Sequence, residues 1–171
     1  MARHIHLPLQ SGSDNILVGM RRPYNVSEFF SSIEKIRRVC PEIAIGTDIM
    51  VGFPGESDED FSKTLKTASE SEFSYVHQFT YSPRGGTDSS TLPVINHKIL
   101  SERSAALKQL SRQMTSAYRS KFIGKKLHSV IEKGYALSGN YIHMRLTKNI
   151  CEKISYVKLI DSSMEPEGEP C

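Results

Sequence analysis

Residues 43–51, Ile-Ala-Ile-Gly-Thr-Asp-Ile-Met-Val, make a largely apolar, partly β-branched run with one carboxylate, Asp48, inside it. A strand of that composition is covered on both faces, as the strands of parallel sheets are. A carboxylate in such a strand is costly unless it is paired or hydrogen-bonded. Two readings of Asp48 follow. Either neighbours satisfy it at a tight strand-to-helix turn, or it waits at a rim where a ligand arrives. The glycines and proline of Gly52-Phe53-Pro54-Gly55 deliver the chain into the next helix and let backbone groups approach a ligand closely.

The flanking sequence repeats the strand–helix alternation. His4-Ile5-His6-Leu7 is a short strand stopped by Pro8, and Asp14 precedes a helical stretch through Met20. Ser27 is a plausible N-cap for a second helix, with Phe29, Ile33 and Ile36 on one face and Pro41 at its end. Ser57 with Asp60 resembles a capping box for a third helix. Residues 75–81 form a last strand candidate before the loop Ser82-Pro83-Arg84-Gly85-Gly86. The spacing is that of βα units, so the expected class is α/β with a parallel sheet.

From Pro93 the texture changes. Leu100, Leu107, Leu110, Met114 and Ala117 mark one face of a long helix. Residues 98–133 hold nine Lys/Arg against two Glu, a local net of +7 in a chain whose overall charge is +3. The overall charge alone is too mild to announce a nucleic-acid partner. Short β-like runs follow at 127–132, 141–146 and 154–160, predicting a small antiparallel module of the size of compact nucleic-acid-binding barrels. The acidic, proline-containing tail 165–171 is expected to fray.

Composition removes several classes. The 171 residues hold no apolar run near the roughly 20 needed to cross a bilayer and open on no signal segment, so a soluble, cytoplasmic chain is expected. The three cysteines, Cys40, Cys151 and Cys171, are odd in number and far apart. They exclude a disulfide framework and an all-cysteine metal centre within the chain. His4 and His6 share a strand face and could join in a metal site, but no third ligand lies near them in sequence. Arg84, on its Pro/Gly loop, suits anion recognition, as it equally suits plain solvation.

Taken in order, HIHLPLQSGSDNILVGMRRPY, TDIMVGFPGESDEDF and FTYSPRGGT resemble the radical S-adenosylmethionine tRNA methylthiotransferases across residues 4–90. The final 50 or so residues resemble the RNA-binding TRAM module of such enzymes. The resemblance implies a partial (β/α) radical SAM barrel over residues 1–120 and a small TRAM-like antiparallel β-barrel over 121–171. It implies S-adenosyl-L-methionine and 4Fe-4S clusters as cofactors of the full-length family, and tRNA as partner. One departure stands out: the family's C-x-x-x-C-x-x-C motif is absent from this sequence, as is its second set of three cysteines. A thiolate-ligated cluster needs those ligands. The chain therefore reads as a C-terminal portion of a methylthiotransferase, inactive alone.

By the same resemblance, Gln10 and Asp48 would bind ribose hydroxyls, since an amide and a carboxylate can each bond a vicinal diol. Arg22, or Arg21 beside it, would pair with the methionyl carboxylate. Gly52 and Pro54 would shape the adenosine pocket, and Arg84 would face the substrate. Lys121, Lys125, Lys126, Tyr141 and Arg145 are the expected RNA contacts, with a solvated basic face as the alternative. Gln10-Ser11-Gly12 matches the tRNA-modifying members. Gly134-Tyr135 and Gly139-Asn140-Tyr141-Ile142 look most like the threonylcarbamoyladenosine type, with the isopentenyladenosine type as alternative. A non-catalytic RNA-binding fragment is the reading from a different class. A partial barrel would expose an edge and an apolar face, predicting self-association.

Overall fold

The computed structural model describes residues 3–83, 93–148 and 150–171. Three parallel strands, β1 (His4–His6), β2 (Ala44–Val51) and β3 (Tyr75–Thr80), form one sheet in the order β1-β2-β3. The intervening chain forms α1 (Asp14–Gly19), α2 (Val26–Val39) and α3 (Asp58–Ser71), and α4 (His97–Ser120) follows β3. The parallel sheet expected from the residue pattern is present. Side chains alternate along β2: Ile45, Ile49 and Val51 pack with Leu9, Phe29, Ile33, Phe61, Phe73 and Leu107 in the helix-covered core.

The capping box expected at Ser57 and Asp60 starts α3, each side chain bonding the other residue's backbone. Helix α2 begins earlier than Ser27 suggested. Asn25 is its N-cap, accepting from the Glu28 amide while Glu28 reaches back to the Asn25 amide, so the box lies two residues upstream.

The second unit is a closed five-stranded barrel in the order β4-β5-β6-β8-β7. Its strands are β4 (Lys126–Glu132), β5 (Tyr135–Ser138), β6 (His143–Leu146), β7 (Ile154–Leu159) and β8 (Glu167–Pro170). Three expectations change here. The barrel is mixed rather than antiparallel, because β8 runs parallel to β6. The tail is a strand, and Gly168 is where it seals the barrel: a Cβ there would lie 2.5 Å from a Val157 methyl carbon. The run at 141–146 is divided, with Tyr141 in a turn at φ 62° and β5 supplying the neighbouring strand.

The two units share packing. Ala136, Ile142, Met144, Val157 and Leu159 form the barrel core, joined by Tyr118 and Phe122 from the end of α4 and by Ala44 of β2. The Tyr118 hydroxyl donates to the Glu42 carbonyl at 2.9 Å. Among the described residues, no helix is long and apolar enough to cross a membrane.

Candidate cofactor rim and nucleic-acid face

The carboxyl ends of β1 and β2 are locked together by Thr47. Its buried hydroxyl accepts from the Leu9 amide at 2.9 Å and donates to the Leu7 carbonyl at 2.8 Å. Gln10 then turns at φ 65°, a left-handed conformation uncommon outside glycine. Its amide donates to the Asp48 carbonyl at 2.7 Å and its carbonyl accepts from Met50 at 2.9 Å. Gln10 and Asp48 are therefore neighbours at one rim. Among the described residues, no side-chain hydrogen bond engages the Gln10 amide group.

The small residues after Gln10 serve packing. A Cβ on Gly12 would lie 2.6 Å from the Thr64 backbone, so only glycine lets this turn press against α3. Ser13 donates to Asp60 at 2.6 Å, and the Thr64 hydroxyl accepts from the Gly12 amide at 3.0 Å. Burial opposes ionisation of Asp60, yet hydrogen bonds from Ser13 and Ser57 hold its carboxyl below the usual range.

Gly52 opens the next turn at φ 81°. Its amide donates to Glu56 at 3.0 Å, and Glu56 also accepts from Arg103 of α4 at 2.6 Å. Arg103 extends a second bond to Asp58 at 2.7 Å. Arg103 and Glu56 are almost wholly buried, whereas Asp58 is exposed, and burial raises the Glu56 carboxyl against the pull of the Gly52 amide and Arg103. The sequence reading missed this latch. Its signal is a charged residue, Arg103, inside the apolar stripe of Leu100 and Leu107.

Phe53 ties the third piece in. A Cβ on Gly19 would sit 3.1 Å from the Phe53 ring, which also meets Tyr81 edge-on at 5.6 Å. The end of α1, and with it the Arg21–Arg22 segment, is thus drawn toward the Gly52–Pro54 turn. Arg22 is exposed, and its charge is felt by Tyr24, whose hydroxyl bonds the Pro8 carbonyl at 2.9 Å beside the rim. Gln10, Gly52, Pro54 and Arg22 accordingly lie in the loops at one end of the sheet, with Asp48 on β2 beside Gln10. Arg84 lies outside the described residues.

The sheet face away from the helices is open. His6 Nε2 lies 3.1 Å from Asp48 Oδ1, and His6 Nδ1 lies 3.2 Å from the Tyr75 hydroxyl. The same hydroxyl lies 2.8 Å from His4 Nε2. Tyr75 covers Gly46, and the His4 ring stacks on Tyr141 at 4.1 Å. His4 and His6 do share a face, but a tyrosine stands between them where a metal was considered. Burial and the neighbouring His6 lower the His4 imidazole. The uncovered face carries polar and aromatic groups, with Phe79 exposed beside them.

The expected RNA contacts are dispersed. Lys121 pairs with Glu72 at 3.2 Å, Lys125 with Glu42 at 2.7 Å, and Arg145 with Glu167 at 2.6 Å. Tyr141 packs on His4. Lys126 is exposed and has no ion pair among the described residues. Lys125 and Lys126 meet Arg3, His128 and Tyr156 along a groove of about 500 Å³.

The donor set at the rim suits the ribose end of a nucleoside. His6 engages one Asp48 oxygen. The second carboxylate oxygen and the Gln10 side-chain amide, carried on adjacent backbone, have no hydrogen-bond partner among the described residues and are the groups that can bond a vicinal diol. An iron–sulfur cluster does not fit the chain's own residues. Cys40, Cys151 and Cys171 are all free, and no group of three or more His, Cys, Asp or Glu among the described residues could hold a metal ion.

Comparison with known proteins agrees. Residues 2–68 match the radical SAM superfamily. The chain is 40% identical over 137 residues to threonylcarbamoyladenosine tRNA methylthiotransferase of Thermotoga maritima, covering 80% of this chain and 31% of that protein. It is 36% identical over 144 residues to tRNA-2-methylthio-N(6)-dimethylallyladenosine synthase of Thermobifida fusca, covering 84% and 29%. It is 35% identical over 163 residues to a probable threonylcarbamoyladenosine tRNA methylthiotransferase of Methanocaldococcus jannaschii, covering 95% and 38%. The chain spans about a third of the length of these curated relatives.

Proposed function

Because the chain belongs to the radical SAM tRNA methylthiotransferase family, we propose that it contributes part of the cofactor site and an RNA-contacting module to the methylthiolation of a modified adenosine beside the tRNA anticodon. The observation that carries this reading is the Gln10–Asp48 juxtaposition at the rim, with the Gly52 turn beside it. Gln10 and Asp48 would hold the ribose hydroxyls, Arg22 the methionyl carboxylate, and Gly52 with Pro54 the adenine side. When bound with its cluster, S-adenosylmethionine supplies the radical chemistry of the family. Residues 1–120 act as the barrel portion and 121–171 as the TRAM-like module.

A thiolate-held cluster would need ligands beyond Cys40, Cys151 and Cys171, the three cysteines of these 171 residues. We assign the threonylcarbamoyl-adenosine substrate from the Gly134-Tyr135 and Gly139–Ile142 motifs, although identities to the two substrate types are similar. The test replaces the matching segment of the Thermotoga relative with this chain and analyses tRNA nucleosides by mass spectrometry. Methylthio-threonylcarbamoyladenosine is expected. The dimethylallyl product would overturn the substrate assignment. No product from a soluble chimera that retains its clusters would favour the non-catalytic RNA-binding fragment.

A further inference from the structure

The outward face of β4 and β7 carries three cross-strand pairs in register: Lys126 with Lys158, His128 with Tyr156, and Val130 with Ile154. The alternating residues point inward, where Ser129 and Val157 are buried. All six outward residues are exposed, and Val130, Ile154 and Tyr156 each keep 55% of their surface. This composition is odd for a surface that touches only water. Like charges directly opposite each other on a sheet are unfavourable. Glu169 faces Lys158 from β8, but no ion pair joins them among the described residues. The central rings meet edge to face at 5.4 Å, and neither pairs with another aromatic ring among the described residues. Val130 and Ile154 stand exposed as one cross-strand pair, and Tyr156 stands exposed one register further, about 6.8 Å along the strand from Ile154.

We propose that this ribbon binds an unpaired stretch of RNA, with Tyr156 and His128 as the base-stacking platform and Lys126 and Lys158 holding phosphates. A polyanion relieves the lysine–lysine repulsion, and unstacked bases supply flat apolar faces for the rings. The groove beside the ribbon adds Arg3 and Lys125 along the strand path, with Glu42 between them as the one opposing charge. The balance is cationic, which favours RNA over an acidic-residue-poor protein surface as the occupant. Duplex RNA offers its phosphates but no free base faces. The ribbon therefore discriminates loops from stems. This inference rests on the reading that the barrel contacts tRNA, and it moves the contact away from Tyr141 and Arg145, which the structure engages elsewhere.

The test measures binding of the chain to a fluorescent anticodon stem-loop RNA and to a duplex RNA of equal length, by anisotropy across a salt series. Tyr156→Ala should weaken stem-loop binding about tenfold, within the range found for losing one stacked base, and leave duplex binding within twofold. Tyr156→Phe should retain stem-loop affinity, since the ring rather than the hydroxyl does the stacking. Lys158→Ala should lower the log–log salt slope by about 0.7, the single-strand value per phosphate. Wild-type affinity in Tyr156→Ala and Lys158→Ala, beside a parent that binds, would overturn the ribbon and leave the RNA reading standing. Absence of binding by the parent would overturn both. Unchanged RNA affinity together with altered self-association in Val130→Ser/Ile154→Ser would make the ribbon a protein interface instead.

Discussion

On the open face of β1–β3 the polar groups are linked: Asp48 to His6, His6 to Tyr75, and Tyr75 to His4. On the outward face of β4 and β7 the corresponding side chains make no hydrogen bond to another described residue, and His128 and Tyr156 form an edge-to-face ring pair. A linked face is preorganised, which suits a small, rigid ligand whose binding tolerates little misplacement. An unlinked face of rings and lysines can adjust, which suits a flexible strand whose bases differ. Burial follows the same division. The α/β unit hides charge, in Glu56 and Arg103, whereas the barrel keeps charge outside a core of Ile142, Met144, Val157 and Leu159.

The largest effect should come from that hidden charge. Arg103→Ala leaves Glu56 buried without its partner and should destabilise the chain by about 3–5 kcal/mol. Urea unfolding measures this, and Arg103→Ala combined with Glu56→Gln should recover much of the loss. A cost below about 1 kcal/mol would mean that the latch is idle. Next is the barrel seam. Gly168→Ala forces a Cβ against Val157 and Met144 and should cost about 1–3 kcal/mol. A frayed tail would register nothing, so this substitution separates a closing strand from a loose terminus.

The smallest effect concerns pH. Asp60 has a folded pKa below its ordinary 3.8. Its stabilisation is therefore present above pH 3.8 and is lost as pH falls through the depressed folded value. Asp60→Asn should cost about 1 kcal/mol at neutral pH, the scale of a helix cap, and flatten the acid limb below pH 3.8. An acid limb identical to that of the parent would remove Asp60 from the titration.

What was legible in the residues is local. The apolar run at 43–51 announced a buried parallel strand, and Ser57 with Asp60 announced the start of α3, because both signals act within a few residues. Asn25 and Glu28 carry the same kind of signal two residues before Ser27, which stands next to the apolar face but does not cap α2. The barrel's closure was not legible. Glu167–Pro170 has no β-branched residue and becomes a strand because Gly168 fits between Val157 and Met144, a contact set by distant chain. The carboxylate partners of Lys121 and Lys125 were not legible either, for the same reason. Glu42 and Glu72, which pair with Lys125 and Lys121, are more than 45 residues away in sequence. At the rim, residue types pointed to Gln10 and Asp48, but only the fold shows His6 holding Asp48 and Arg103 holding the Gly52 turn.

The central proposal is that the rim at Gln10, Asp48 and Gly52 holds the nucleoside end of S-adenosylmethionine. Its most direct test is a titration of the isotopically labelled chain with S-adenosylmethionine, followed by amide NMR. The account predicts weak, millimolar-range binding, with saturable shifts at the amides of Gln10, Asp48 and Gly52 that vanish in Asp48→Asn. Shifts confined to other parts of the molecule, or no shifts at saturating cofactor, would contradict it.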